Sequence, residues 1–149
     1  TAIGQGNTTM TPIHLAIIAD AVANNGIAMT PNFVSGIQNY TGTSVSTNKP
    51  KEFGTLMSPE EAAQIKELMK GVVQNGTGHA LNDLGIPIAG KTGSAEHGDM
   101  TQNTHSWFVG FSDTGENDIV VCVVAESAGS GSSVAVPIAR RIFAAHFGL

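Results

Sequence analysis

This chain is short of charge. Asp, Glu, Lys and Arg make up 13% of its 149 residues, about half the usual share. The formal net charge is −5, and Arg140-Arg141 is the only adjacent basic pair. With no Lys/Arg cluster to meet phosphates, nucleic acid is excluded as a partner. Cysteine is almost absent too. Cys122 stands alone inside an apolar run, which rules out a disulfide framework and predicts a buried core thiol. No stretch approaches about 18 apolar residues, so no membrane-crossing helix is expected: either the protein is soluble or its targeting segment lies outside these residues. What remains is 41% hydrophobic with 18 glycines. That profile suits a compact, loop-rich extracytoplasmic domain better than a charged cytosolic one. The length fits one domain, or part of one, with a real core and no internal boundary over 1–149.

Three helices are marked by their caps. Thr11-Pro12 opens the first, with Thr as N-cap and Pro at the first helical position. Ile13, Ile17, Ala21 and Val22 supply its buried stripe, and Asn24-Asn25-Gly26 stops it. Ser58-Pro59-Glu60-Glu61 opens the second with a capping box. Its apolar face is Ala62, Ile65, Leu68, Met69 and Val72, and Asn75-Gly76 ends it. The last helix is expected over 134–147, with Ile138, Ile142 and Phe143 inward. A short strand is expected over 33–37, followed by a polar, turn-rich loop to Pro50. Ser106 to Phe111 and Ile119 to Ala125 read as a hairpin across Asp113-Thr114-Gly115. The second of these is apolar on both faces and is expected to be central, with helices covering it. Ser127 to Ser133 reads as a loop. The order predicts an α+β fold, an antiparallel sheet packed on helices.

Lys91-Thr92-Gly93-Ser94 is the candidate for the chemistry, although Lys91-Thr92-Gly93 taken alone also fits a surface strand-to-turn. It follows an apolar run, Ile86-Pro87-Ile88-Ala89-Gly90, and precedes a polar loop from Ala95 to Thr104. An apolar strand ending in Lys-Thr-Gly delivers a cation, a hydroxyl and a side-chain-free backbone to a surface groove. Acyl-transfer sites need that set, since the cation and hydroxyls bind a substrate carboxylate and Gly admits an extended substrate. Gly85-Ile86-Pro87-Ile88-Ala89-Gly90-Lys91-Thr92 also fits the Walker A spacing, with Val121 to Glu126 as the matching second strand. Leu81-Asn82-Asp83-Leu84 before it is no strand, however, and Gly93 and Gly98 after it make a poor helix start. His97, Asp99 and His105 are the one candidate metal set, without tight ligand spacing; no metal or other cofactor is expected. His14 and His146 read as helix-face residues, Gly76-Thr77-Gly78 as a helix stop, and Trp107 as core packing that lines a groove floor. Glu96 either orients the Lys91 ammonium or ends the strand.

In register, the chain resembles the C-terminal part of a penicillin-binding protein transpeptidase domain of the class B, peptidoglycan-crosslinking kind. The segments that carry the resemblance run in order from Ile3-Gly4-Gln5-Gly6 through Thr11-Pro12, Asn24-Asn25-Gly26, Thr30-Pro31 and Val72-Val73. Gly76-Thr77-Gly78, Ala89 to Glu96 and His105 to Phe111 complete the series. Lys-Thr-Gly is a motif of penicillin-binding proteins and β-lactamases. The resemblance implies a five-stranded antiparallel sheet flanked by helices, with Lys-Thr-Gly on its active-site edge. It implies a serine acyl-enzyme mechanism on the D-Ala-D-Ala end of a peptidoglycan stem peptide, binding of β-lactams, and a place on the extracytoplasmic face of the bacterial plasma membrane, with the anchor outside this chain. Lys91 would supply positive potential. Thr92 and Ser94 would bind the carboxylate, Gly93 would admit the substrate backbone, and the Ser94 N–H would be half of the oxyanion hole. The family more often has Thr where Ser94 stands, and both carry a hydroxyl.

The departure from the family concerns the nucleophile. Its Ser-x-x-Lys and Ser-x-Asn motifs belong upstream of Gly4-Gln5-Gly6, so the chain is expected to carry half an active site and to be inactive alone. Ser46-Thr47-Asn48-Lys49 matches both patterns in a polar stretch. Pro50 biases Lys49 away from helical angles, which sets it against a nucleophile's helix. An uncovered sheet edge is expected to favour dimerisation. Two other classes share parts of the pattern. One is a penicillin-recognising carboxypeptidase, β-lactamase or sensor, and the other is a scaffolding domain without the serine. The Gly4-Gln5-Gly6 segment and the Ala89 to Glu96 run look more like the crosslinking enzymes.

Overall fold

The computed structural model describes residues 8–98 and 103–149. Three helices and seven strands follow in order: α1 (Pro12–Ala23), β1 (Ile27–Met29), β2 (Gly36–Gln38), β3 (Ser44–Thr47), β4 (Glu52–Thr55), α2 (Pro59–Asn75), β5 (Ile88–Ala95), β6 (His105–Ser112), β7 (Val120–Ala125) and α3 (Val136–Phe147). A 3₁₀ segment, His79–Leu84, precedes β5, and a π-helical turn, Gly131–Ala135, precedes α3. The main sheet is antiparallel in the order β5-β6-β7, with β1-β4 and β2-β3 as separate two-stranded ribbons. The α+β class holds. The five strands implied for the main sheet are three among the described residues.

The caps act as their residues dictate. The Thr11 hydroxyl accepts from the His14 N–H. Glu61 N–H donates to Ser58 Oγ and Ser58 N–H to Glu61 Oε2, closing the capping box. Asn25 and Gly26 both take positive φ, 52° and 91°, and turn the chain from α1 into β1.

Helices cover the sheet on both sides. Ala19 and Val22 of α1 pack with Ala89, Phe111 and Val109 on one face, together with Met69 of α2. On the other, Val136, Ala139 and Phe143 of α3 pack with Ile88, Phe108, Val121 and Val123. Phe108 lies across two facing glycines. A Cβ on Gly90 would stand 2.5 Å from the Phe108 ring, and one on Gly110 would stand 2.5 Å from the Ala89 carbonyl oxygen. Because Gly90 and Gly110 are direct partners across the ladder, their missing side chains form one slot for the ring.

Several expectations change. The strand expected over 33–37 is Gly36–Gln38, because Val34 N–H is captured by the Asn32 side chain in a turn. The loop to Pro50 contains β3, and β4 follows it; both ribbons are short and irregular in register. The strand over 119–125 begins at Val120 and is not central: β6 is the middle strand. Helices on both its faces account for its apolar pattern. The last helix starts at Val136, and the loop expected over 127–133 runs into the π-helical turn. Its inward face is Val136, Ala139 and Phe143, at spacings of three and four, while Ile138 and Ile142 are exposed. Ile13, Ile65 and Leu68 are also exposed. Cys122 is half-buried, and that partial burial pushes its thiol pKa up.

An ion-pair cluster ties α2 to the β6–β7 turn. Asp113 Oδ1 meets Lys66 Nζ at 2.9 Å, and its Oδ2 meets Lys70 Nζ at 3.0 Å. Burial alone would raise the Asp113 pKa, but the two lysines outweigh it and hold the carboxyl below its usual range. A folded value below the unfolded one gives stability that is complete above about pH 4 and is lost as pH falls through the folded value. Asp113→Asn is expected to cost about 1 kcal/mol near neutral pH. The gap between its melting temperature and the wild type's should close on acidification, and a gap that did not change with pH would refute this account.

Candidate active site

The motif lies within a strand and not at its end. β5 continues through Lys91, Thr92, Gly93 and Ser94 to Ala95, each paired across to β6: Lys91 with Val109, Thr92 with Phe108, Gly93 with Trp107 and Ser94 with Ser106. Strand alternation sends Lys91 to one face of the sheet and Thr92 and Ser94 to the other. In the β5-β6-β7 order, β5 is an edge strand. The four sequence-derived residues are therefore together, on one strand edge, with the cation and the hydroxyls on opposite sides of it.

On the Lys91 face an open groove of about 520 Å³ runs between α1 and α2, lined by Leu15, Ile18, Ile65, Leu68, Met69 and Val72, with Lys91 and Val109 beside them. Its walls include the exposed apolar residues of the two helices. Lys91 Nζ donates to the Thr92 carbonyl oxygen at 2.6 Å. Gly93 lies against Trp107, where an added Cβ would come within 3.2 Å of the Trp107 Cβ.

On the other face Thr92 is buried, and its hydroxyl lies 2.6 Å from that of Thr77. Ser94 Oγ accepts from the Gly131 N–H at 3.1 Å. The segment from Ser127 into the π-helical turn is strapped along the ends of β5 and β6. Ser127 N–H donates to His105 Nδ1, and the Gly129 and Thr104 backbones and the Thr104 hydroxyl bond each other. Fully buried Ser106 donates to the Ser130 carbonyl at 2.8 Å and accepts from Ala135 N–H at 3.0 Å. Gly131 presses on the strand so closely that a Cβ there would lie 2.6 Å from the carbonyl oxygens of Gly93 and Trp107. The motif does not point to Gly131, Ser106 or Thr77. Only the crowding of Gly and Ser over 127–133 hints at a tight strap.

The remaining candidates separate. The Walker A reading fails on geometry: Gly90, Lys91 and Thr92 sit inside one continuous strand, and the next element among the described residues is β6, not a helix. His97 and His105 stack with ring centroids 3.7 Å apart. The His97 Nε2–H is held by the Asn103 carbonyl, and His105 Nδ1 by Ser127 N–H. Asp99 lies outside the described residues, as do Ile3 to Gly6, and among the described residues no three His, Cys, Asp or Glu side chains converge on a metal position. Ser46 sits on exposed β3, not on a helix.

The family model for the penicillin-binding protein transpeptidase domain matches residues 1–144. Among curated relatives, peptidoglycan D,D-transpeptidase PbpA of Mycolicibacterium smegmatis is 34% identical over 97% of this chain and 30% of its own length. Peptidoglycan D,D-transpeptidase MrdA of Haemophilus influenzae is 32% identical over 94% of this chain and 24% of its own. Among solved structures, the imipenem acyl-enzyme complex of penicillin-binding protein A from M. tuberculosis superposes with a TM-score of 0.87 at 33% identity, covering 98% of this chain and 33% of that one. The chain belongs to the penicillin-binding protein transpeptidase family, and it spans about a third or less of the length of these relatives.

The strap gives a direct test. Ser106→Ala leaves the Ala135 N–H and the Ser130 carbonyl without their buried partner and is expected to cost about 1–3 kcal/mol. Gly131→Ala should cost at least as much, because its clash is with backbone that has nowhere to go. Chemical denaturation of each variant reads both, and a loss within about 0.5 kcal/mol for either would refute the strap's role.

Proposed function

We propose that this chain is the Lys-Thr-Gly portion of a single transpeptidase domain in a peptidoglycan D,D-transpeptidase that also binds β-lactams. The observation that carries the reading is the placement of Lys91-Thr92-Gly93-Ser94 on the edge strand of the sheet, with Lys91 beside an apolar groove, in a chain of this family. In this reading a serine Oγ attacks the carbonyl of the D-Ala-D-Ala amide. The terminal D-Ala leaves with the proton, and a serine ester remains. An amine of a second stem peptide then displaces the serine, which recovers its proton. A β-lactam stops at the first step, with its ring opened on the serine.

The residues of β5 divide the work. Lys91 supplies positive potential on the groove side. Thr92 and Ser94 donate to the substrate carboxylate, Gly93 lets the substrate backbone lie on the strand, and the Ser94 N–H polarises the scissile carbonyl. The nucleophile is assigned to a helix outside these 149 residues. The sequence's one Ser-x-x-Lys, at Ser46, lies on an exposed ribbon. Chemistry on stem peptides sets the place of action outside the cytoplasmic membrane. The second edge of β7 has no strand partner among the described residues, and we assign it to the rest of the same domain or, in the isolated chain, to a second copy.

Intact mass spectrometry after incubation with penicillin G tests the reading. The 149-residue chain should show no adduct, and the longer protein that contains it should show one stoichiometric adduct. Lys91→Ala in the longer protein should slow adduct formation by about 10²–10³-fold. An adduct on the 149 residues alone would place the nucleophile within them. Failure of the longer protein to form one would overturn the assignment.

A further inference from the structure

We propose that Thr77 is a positioning residue that turns the Thr92 hydroxyl into a dedicated donor for a substrate carboxylate. The inference rests on the reading of Thr92 as a carboxylate-binding group. A hydroxyl has one proton and two lone pairs. The Thr77 and Thr92 oxygens are 2.6 Å apart, so one of the two protons occupies the line between them. A carboxylate is an acceptor only. When it approaches, Thr92 must aim its proton outward, and the short bond must then run from Thr77 to Thr92. The result is a two-link chain, Thr77 to Thr92 to carboxylate, in which each bond polarises the next. Without Thr77 the Thr92 hydroxyl would have no donor behind it and more rotational freedom to lose.

Thr77 is held rigidly enough for this. It stands between Gly76 and Gly78, whose N–H groups both bond the Val72 carbonyl oxygen at 3.1 Å, closing the C-terminal end of α2. A Cβ on Gly76 would lie 2.9 Å from that same oxygen, so the turn is tight as well as bonded. Thr92 is fixed at its other end by the Lys91 ammonium on its carbonyl. The Gly-Thr-Gly turn therefore does more than stop a helix, because it delivers one hydroxyl to the buried side of the motif.

The test uses the longer protein and two probes, penicillin G and its methyl ester, which lacks the anionic carboxylate. Thr77→Val keeps the shape and removes the hydroxyl. It should slow acylation by penicillin G about tenfold while leaving the slower ester reaction unchanged. Thr77→Ser should restore the wild-type ratio. The loss should appear in the concentration dependence of the rate, with the limiting rate at saturation little changed. Equal slowing with both probes would mean a structural role and overturn the inference, as would no slowing with either. If the wild type forms no adduct with either probe, the transpeptidase reading falls and takes this inference with it. A wild type that reacts while Thr77→Val behaves identically sinks this inference alone.

Discussion

One aromatic ring lying over two missing side chains organises the sheet. Phe108 is fully buried, and it fits only because Gly90 and Gly110 face each other beneath it. The ring closes the α3 side of the sheet, packing with Val121, Val123 and Phe143. Interiors are packed as densely as molecular crystals, so a ring seated on backbone tolerates little shift in register. The strand position of Lys91 and Thr92 follows. They come directly after Gly90, and the pairing that sets the slot also sets which of them faces the groove and which the strap.

That division by strand alternation separates two environments. Lys91 stands at the side of an apolar groove, and the hydroxyls of Thr92 and Ser94 stand in a polar, hydrogen-bonded layer built by Thr77, Gly131, Ser106 and the 127–135 segment. A cation and a set of donors 1–3 residues apart would compete for the same acceptors if they shared a face. On opposite faces of one strand edge they converge only on a group that lies along that edge. An extended peptide with a terminal carboxylate is such a group, which is why the edge strand suits the proposed substrate.

Much of this was legible from residues. The caps of α1 and α2, the β6–β7 hairpin and the family itself were all visible, because each rests on short-range chemistry: a hydroxyl before a proline, a box of Ser58 and Glu61, a turn at Asp113-Thr114-Gly115. What was hidden depends on partners far along the chain. Val120 to Ala125 is apolar on both faces because α1 and α3 sandwich it, and that pattern does not distinguish a central strand from a covered strand at the end of a three-stranded sheet. Ile138 and Ile142 have the hydrophobicity of core residues, yet the face of α3 that meets the sheet is Val136, Ala139 and Phe143, and the two isoleucines lie off it. The strap was hidden for a similar reason. Nothing local tells Gly131 to press on Gly93, 38 positions away in sequence.

The open groove constrains whatever covers it. Its lining is apolar along both helices, and exposed side chains such as Leu68 and Ile65 contribute to it. A covering element must therefore be apolar where it meets α1 and α2, or it would bury polar groups without partners. It must change character at Lys91. An ammonium has three donors, and the Thr92 carbonyl takes one; covering the groove removes water from the rest. The element that closes over Lys91 has to bring acceptors to it, placed beside an otherwise apolar surface. A hydroxyl or a carboxylate carried on an apolar helix meets both demands. An element that carries the nucleophile in the proposed reading would have to meet both demands.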